Sequence, residues 1–95
     1  MKTGNLTLRP WSIVTKILYD KDKKRATGVE VLDAETNKTY TYNAKIVFLN
    51  ASTFNSAWIL MNSATDVWPD GLGSSSGELG HNIMDHHLGV GAGGR

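Results

Sequence analysis

The chain has 95 residues, enough for one domain with a modest core, and its composition is that of an ordinary folded protein, with 40% hydrophobic and 20% charged residues. Ten basic and nine acidic residues leave a net charge of +1, which gives no reason to expect nucleic acid or an anionic membrane as a partner. Cysteine is absent, which excludes disulfides, zinc fingers and thiol catalysis. Because no apolar run approaches the ~20 residues that span a bilayer and no signal-peptide pattern opens the chain, a cytoplasmic protein is the default expectation.

The first part of the chain predicts extended structure. Residues 6–9 form a short extended run that ends at Pro10, since proline cannot donate to a strand ladder. Residues 11–19 carry apolar side chains on the odd positions and further apolar side chains on the even face, which predicts a strand covered on both sides. The charged segment 20–25 alternates in sign, so we expect a solvated hairpin tip there.

Two more strands complete the predicted antiparallel meander. Residues 27–33 predict a second strand that pairs back as a hairpin. Residues 35–38 predict a turn in which Asn37 suits a positive φ. Residues 39–42 alternate threonine and tyrosine, which favours a third strand.

The pattern changes in the segment 44–65. Residues 46–49, IVFL, are apolar without alternation, which is typical of a strand buried on both faces in a parallel sheet. Ser52 or Thr53 can then serve as the N-cap of a helix about three turns long. Its predicted apolar face consists of Phe54, Ala57, Trp58, Met61 and Ala64. A buried strand that runs directly into a helix is half of a nucleotide-binding α/β unit, because the helix N-terminus attracts anions.

The remaining residues predict loops. The sequence WPDG at 68–71 is a turn signal, and the small polar residues 72–77 predict a flexible crossing. The chain therefore divides into strands and meander (1–43), a strand–helix unit (44–65) and a loop with a C-terminal segment (66–95). The predicted fold class is α/β, or α+β within this chain, with a three-stranded antiparallel meander joined to a Rossmann-type strand and one helix.

The histidine-rich C-terminal segment is the first candidate for chemistry. His81, Asp85 and His86 are spaced i, i+4 and i+5, and with His87 they could form a metal-binding tail. The spacing differs from that of the zincins and no fourth ligand is evident elsewhere. A structural or surface cluster is therefore favoured, and no metal site is predicted.

A literal G-x-G-x-x-G match at residues 89–94 is the second candidate. A dinucleotide fingerprint lies between a strand and a helix whose N-terminus holds the pyrophosphate, and only one residue follows this match in the sequence. We interpret the match as a coincidence of glycine density. The serines at 74–76 lack the strand turn of a nucleophile elbow, so we interpret them as a linker.

Several segments together carry a family resemblance. They are NLTL at 5–8, Val14, RATGVE at 25–30, AKIVFLNA at 44–51, SAWILMNS at 56–63 and SSGELGHNIMDH at 75–86. In this order and spacing, over roughly residues 5–87, they resemble the glucose–methanol–choline (GMC) flavin oxidoreductases. The chain is thus similar to an internal part of the FAD-binding domain of that family.

The resemblance implies FAD as the cofactor and the oxidation of an alcohol or sugar hydroxyl by hydride transfer to the flavin. It implies that the backbone at Val14 contacts the adenine and that the turn at Ala51 and Ser52 approaches the dinucleotide. A strand backbone supplies one donor and one acceptor, which suits that role. Asn82 and Asp85 belong to the family signature near the cofactor, where we expect them to shape the loop. No catalytic residue is predicted in this chain.

The sequence also departs from the family pattern. Ser52 stands where the family has a glycine at the turn, and Ala57 and Ala64 replace its proline and glycine around the helix. The family's glycine-rich N-terminal unit and its catalytic histidine have no counterpart in these residues. We therefore expect an inactive fragment that carries little flavin and self-associates through an uncovered sheet edge or apolar face. The alternative is a small β-rich interaction module without flavin activity, and the metal-binding tail ranks last.

Overall fold

The computed structural model describes residues 3–86, 89 and 91–94. Three strands, β1 (Ser12–Asp20), β2 (Arg25–Asp33) and β3 (Thr39–Asn43), form an antiparallel sheet in the order β1-β2-β3. Helix α1 (Thr53–Met61) follows, and later the 3-10 turn Ser74–Ser76. The predicted α+β class and the meander are confirmed. No helix in the described part of the chain is long and apolar enough to cross a membrane.

The two turns of the meander are held by aspartates. The Oδ1 atom of Asp20 accepts a hydrogen bond from the backbone amide of Lys23 at 3.0 Å, and that of Asp33 accepts one from the amide of Thr36 at 3.0 Å. Because such bonds stabilise the charged carboxylate, they hold the pKa of both aspartates below its ordinary value. Asn37 has a φ of 55°, as the sequence predicts. Local turn chemistry therefore accounts for the order of the three strands.

The core is small and lies between β1, β2 and α1. Ile17, Val31 and Ile59 are its buried apolar side chains among the described residues. Ser63, 2% exposed, joins the helix end to the sheet: its Oγ accepts from the Ile17 amide at 2.7 Å and donates to the Ile59 carbonyl at 2.6 Å. This serine satisfies an outward amide of β1 that would otherwise be buried without a partner.

The first strand differs from its prediction at its beginning. It starts at Ser12 because Trp11 has a φ of 58°, which lies outside the β region. Ile13 is 51% exposed, so the predicted cover on both sides is wrong at this end. Residues 6–9 are not assigned to a strand, and no ladder pairing joins them to another part of the described chain.

Helix α1 presents a different face to the sheet from the one predicted. Phe54, Trp58 and Met61 are 73%, 57% and 50% exposed, whereas Ile59 is the buried residue of the helix. The helix is apolar on more than one side, so periodicity alone does not select a face. The link from Ser63 to β1 fixes the orientation that buries Ile59.

The segment 46–49 does not form the predicted Rossmann-type strand. It is not assigned to a strand, and Ile46 and Phe48 are 71% and 83% exposed. A parallel strand is buried by neighbouring strands and by helices on both faces, and the three-stranded sheet supplies neither at this position. The α+β class is thus confirmed without this element.

Candidate functional site

A cleft of about 350 Å³ opens between β1 and the N-terminal half of α1. We call it the Val14 cleft. Its lining residues are Ser12, Ile13, Val14, Ala51, Asn55, Trp58 and Ile59. Two of the predicted cofactor-binding positions, Val14 and Ala51, therefore line one cleft although they lie far apart in the sequence.

The backbone of Val14 points away from β2. The amide of Ala34 donates to the carbonyl of Trp11 at 2.8 Å, and Val14 lies opposite Val31 in the same register. Because hydrogen-bonded and non-hydrogen-bonded pairs alternate in an antiparallel ladder, Val14 belongs to a non-hydrogen-bonded pair. No hydrogen bond from elsewhere in residues 3–86 reaches its amide or carbonyl. Val14 thus offers one donor and one acceptor along the outer edge of β1, the set that the resemblance requires for an adenine.

The turn into α1 is built by Ala51, Ser52 and Ser56. The amide of Ala51 donates to the Ser56 Oγ at 3.1 Å, and the amide of Ser56 donates to the Ser52 carbonyl at 2.9 Å. Ser52 occupies the N-cap position, but its side chain makes no capping hydrogen bond, so the predicted hydroxyl cap is wrong. With φ 68° and ψ 164°, Ser52 lies outside the negative-φ β region typical of an N-cap whose hydroxyl reaches the first amides of the helix. The helix also has no acidic residue in its first turn.

The conformation of Ser52 shows what the replacement of the family's glycine by serine costs at this turn. The combination of φ 68° and ψ 164° is one that glycine adopts freely and that costs other residues ~1–3 kcal/mol. The resemblance places a glycine at this position. Ser52 therefore keeps the backbone path of the turn at the cost of strain.

A second cleft lies on the other side of the helix start. It has a volume of about 510 Å³, and we call it the Asp85 cleft. Its lining residues are Ser52, Thr53, Phe54, Ile83, Met84, Asp85 and His86. It joins two more predicted positions, Ser52 and Asp85. The Oδ1 atom of Asp85 accepts a hydrogen bond from the His86 amide at 2.7 Å, so the carboxylate orders its own loop.

Asn82 lines neither of these clefts. It has a φ of 57°, and its side-chain amide donates to the carboxylate of Glu78. These features fit a residue that shapes the loop. Its predicted relation to the cofactor stays a prediction, as do the roles of the other four positions.

The histidine cluster does not converge within the described residues. Among residues 3–86, 89 and 91–94, no group of three or more His, Asp or Glu side chains could hold a metal ion. His86 lines the Asp85 cleft, while His81 lines neither cleft. His87 lies outside the described residues, and the glycine-rich match at 89–94 lies partly outside them.

Sequence reasoning missed the other five residues that line the Val14 cleft, among them Asn55 and Trp58. Trp58 belongs to the predicted apolar face of the helix, which favours a core position, whereas the structure leaves it 57% exposed in the lining of the cleft. Asn55 is a polar residue in the first turn of the helix, which is the one signal that could have placed it at a binding surface.

A third cleft, of about 480 Å³, lies at the charged hairpin tip, and none of the five predicted positions lines it. Its charged lining residues are Asp20, Lys23, Arg25 and Lys45. The Nζ of Lys23 lies 3.5 Å from the Asp20 carboxylate, and the rest of the tip is solvent-exposed. This agrees with the solvated turn that the alternating charges predict.

Comparisons with known proteins identify the class to which the chain belongs. The sequence model of the GMC oxidoreductase family matches residues 1–88, and the chain belongs to this family. A 2-methyl-1,2-propanediol dehydrogenase from Mycolicibacterium austroafricanum is 39% identical over 66 residues, which cover 70% of this chain and 12% of that relative. No solved structure matches the chain significantly. The resemblance to the GMC family, inferred from the order of the sequence segments, is thus confirmed.

Proposed function

We propose that this chain is part of the FAD-binding region of a GMC enzyme that oxidises an alcohol or sugar hydroxyl. The observation that carries the proposal is the Val14 cleft, which Val14 and Ala51 both line. Membership of the oxidoreductase family supports it, and so does the printed name of the relative, a dehydrogenase of a diol. FAD would accept the hydride from the substrate carbon when bound.

The residues of the Val14 cleft fit the adenine part of such a cofactor. The outward amide and carbonyl of Val14 provide the donor and the acceptor, and the exposed indole of Trp58 gives the cleft an aromatic wall. The first amides of α1 have neither a side-chain cap from Ser52 nor an acidic neighbour in the first turn. They therefore keep their donors for a negatively charged group beside the turn. These residues bind and orient; none of them moves a proton.

We further propose that the chain alone is inactive and retains little flavin. The region that matches the relative spans 12% of the length of that protein, and a cleft of about 350 Å³ encloses a base rather than a whole dinucleotide. The visible spectrum of the purified chain tests this directly. We expect almost no flavin absorption, and a yellow, stoichiometric FAD complex would contradict the proposal.

Adenine recognition is tested by following amide signals in NMR spectra during titration with AMP, with GMP as the control ligand. We expect the largest shifts at Val14, Ala51 and Asn55 with AMP, and much smaller ones with GMP because its base presents a different edge. Equal responses to both nucleotides, or shifts confined to other residues, would contradict the assignment.

A proline substitution tests the contribution of the Val14 amide separately from that of the rest of the cleft. Val14→Pro removes an outward amide without removing a bond to β2, so the sheet is expected to persist while the AMP response is lost. Thr7→Pro, in the unpaired N-terminal segment, is the matched control and should leave the AMP response unchanged.

The alternative function, a small β-rich interaction module without flavin activity, is favoured by the exposed edge of β3. The genomic DNA on both sides of the coding segment discriminates the two. In-frame sequence for a glycine-rich unit upstream and a histidine-bearing region downstream would support the flavoenzyme. A stop codon directly after Arg95 would support the module.

A further inference from the structure

Strand β1 carries an irregularity directly beside the Val14 cleft. Val14 lies opposite Val31, but Lys16 lies opposite Glu30, so Thr15 is an extra residue of β1 with no partner of its own in β2. Such an extra residue is a β-bulge, which proteins often place next to functional sites because it re-aims the side chains of a strand or ends its pairing. In this chain the bulge directly follows the proposed adenine contact.

The bulge reconciles two residues of β1 whose amides face outward. The bond from the Ala34 amide to the Trp11 carbonyl, with the alternation of the ladder, sets Val14 to face away from β2. The Ile17 amide also faces away, since it donates to the Ser63 Oγ at 2.7 Å. Outward residues of a regular strand are separated by an even number of positions, whereas Val14 and Ile17 are three positions apart. One extra residue between them is therefore required, and the bulge supplies it.

Side chains of both strands hold the extra residue. The Thr15 hydroxyl donates to the Glu30 Oε1 at 2.8 Å and lies 3.3 Å from the Glu30 backbone carbonyl. The Lys16 Nζ lies 3.3 Å from the Glu30 Oε2, so each carboxylate oxygen contacts one residue of the bulge. The bond from Thr15 holds the pKa of Glu30 below its ordinary value, and a charged acceptor makes such a bond stronger than one between neutral groups.

The position of the bulge decides which residue faces the cleft. If the extra residue lay nearer the start of β1, the register found after the bulge would continue back to Val14, which would then lie opposite Leu32. Leu32 bonds to β1, since it lies opposite Ile13 in a hydrogen-bonded pair. The amide and carbonyl of Val14 would then be used by β2, and Thr15 would face outward in its place.

We propose that Thr15 and Glu30 are positioning residues for adenine recognition, because their contact fixes the bulge at the position where Val14 faces the cleft. The inference rests on the proposed function of the Val14 cleft and adds the residues that keep its donor and acceptor available. Neither residue is among those that line the cleft, so each acts through the backbone of β1. The same bulge leaves the Ile17 amide free for Ser63, which joins the end of α1 to β1.

The test compares Thr15→Val, which keeps the shape of the side chain without its hydroxyl, with the conservative Thr15→Ser. Thr15→Val should weaken AMP binding about fivefold or more in NMR titrations, because a site whose supporting contacts are lost is held less well, whereas Thr15→Ser should retain binding. Thr41→Val makes the same change at an exposed position of β3 and is the matched control, which should bind like the unmodified chain. A Thr15→Val chain that binds AMP as tightly as the unmodified chain would overturn the positioning role and leave the proposed function standing.

Amide hydrogen exchange reports the position of the bulge without any ligand. The Val14 amide faces outward in the unmodified chain and should exchange fast. In Thr15→Val it should exchange about fivefold more slowly or less, because a bulge moved toward the start of β1 bonds this amide to β2. The Ile17 amide should stay protected in both chains, which separates a moved bulge from unfolding. Unchanged exchange of Val14 in Thr15→Val would overturn the inference.

Substitutions at Glu30 test the same contact from β2 and decide the question if Thr15→Val does not fold. Glu30→Met removes the acceptor and should reproduce both effects, whereas Glu30→Gln keeps an oxygen that accepts from Thr15 and should retain AMP binding. Equal AMP binding by Glu30→Met and the unmodified chain would overturn the inference. An unmodified chain that responds equally to AMP and GMP would overturn the proposed function itself, and this inference with it.

Discussion

The β-hairpin, residues 12–33, has 9 apolar residues and the strand–helix unit, residues 44–65, has 13, yet the less apolar hairpin is the better packed of the two. Ile17 of β1 and Val31 of β2 lie on paired strands and are buried in the core that the hairpin shares with α1. In the segment 46–61, by contrast, Ile46, Phe48 and Phe54 are each more than 70% exposed. The difference shows that a packing partner within the fold, rather than hydrophobicity alone, decides which apolar residues this chain buries.

The two regions also bear differently on function. The hairpin is held by the turn at Asp20 and supplies the Val14 side of the cleft. The strand–helix unit supplies the Ala51 side and packs on the hairpin through the buried residues Ile59 and Ser63. The candidate site therefore lies between the hairpin, whose fold is set by local pairing, and the strand–helix unit, whose position depends on contacts with the hairpin.

The sharpest test of this contrast compares two neighbouring helix residues. Ile59→Ala should lower the free energy of unfolding by about 3 kcal/mol, because Ile59 is 5% exposed in the core. Trp58→Ala, at a position 57% exposed, should change the free energy by less than ~0.5 kcal/mol. Urea unfolding of both variants gives the comparison. The reverse order would mean that the helix packs with the face the sequence predicts.

The hairpin side is tested at Gly28. A Cβ added there would lie 2.2 Å from the Tyr42 carbonyl oxygen, so Gly28→Ala must displace β3. We expect a loss of about 2 kcal/mol in unfolding free energy. Gly91→Ala, where a Cβ meets nothing within 4 Å, is the control and should be nearly neutral. An equal effect at both glycines would argue against the close approach of β2 and β3.

The junction between the regions is tested at Ser52. Ser52→Gly should stabilise the chain by about 1 kcal/mol, because glycine adopts the positive φ without strain. Thr53→Gly, one residue into the helix, should instead destabilise it by a similar amount. Thermal unfolding of the pair distinguishes strain at one residue from a general effect of glycine.

The smallest expected effect is the acid sensitivity of the meander. Turn amides lower the pKa of Asp20 and Asp33 from 3.8, and a hydrogen bond from Thr15 lowers that of Glu30 from 4.5. Since a lowered carboxyl pKa stabilises the folded state above the unfolded value, this stability is present at neutral pH. It is lost as the pH falls through the folded pKa values.

Asp33→Asn should flatten this acid dependence in urea titrations at several pH values. Glu35→Gln, at the neighbouring exposed turn position, is the matched control and should keep the slope of the unmodified chain. Equal flattening in both variants would contradict the specific role of the Asp33 cap.

The sequence by itself determined the meander, its two turns and the family. Alternating strand residues, the aspartate turns and the positive φ of Asn37 are set by neighbours in sequence, so local rules suffice for them. The segments that resemble the GMC family are likewise recognised by their order and spacing along the sequence, without coordinates.

Only the tertiary structure decided which side of α1 is buried, that the segment 46–49 stays unpaired, and that Val14 and Ala51 line the same cleft. Periodicity describes a helix or strand but not the surface against which it packs. The Ile17 amide donates a hydrogen bond to Ser63, 46 residues further along the chain, and this bond fixes which face of the helix is buried. The same contact sets the helix beside β1 and so forms the cleft, because burying an outward strand amide requires a hydrogen-bond partner that only the folded chain brings into reach.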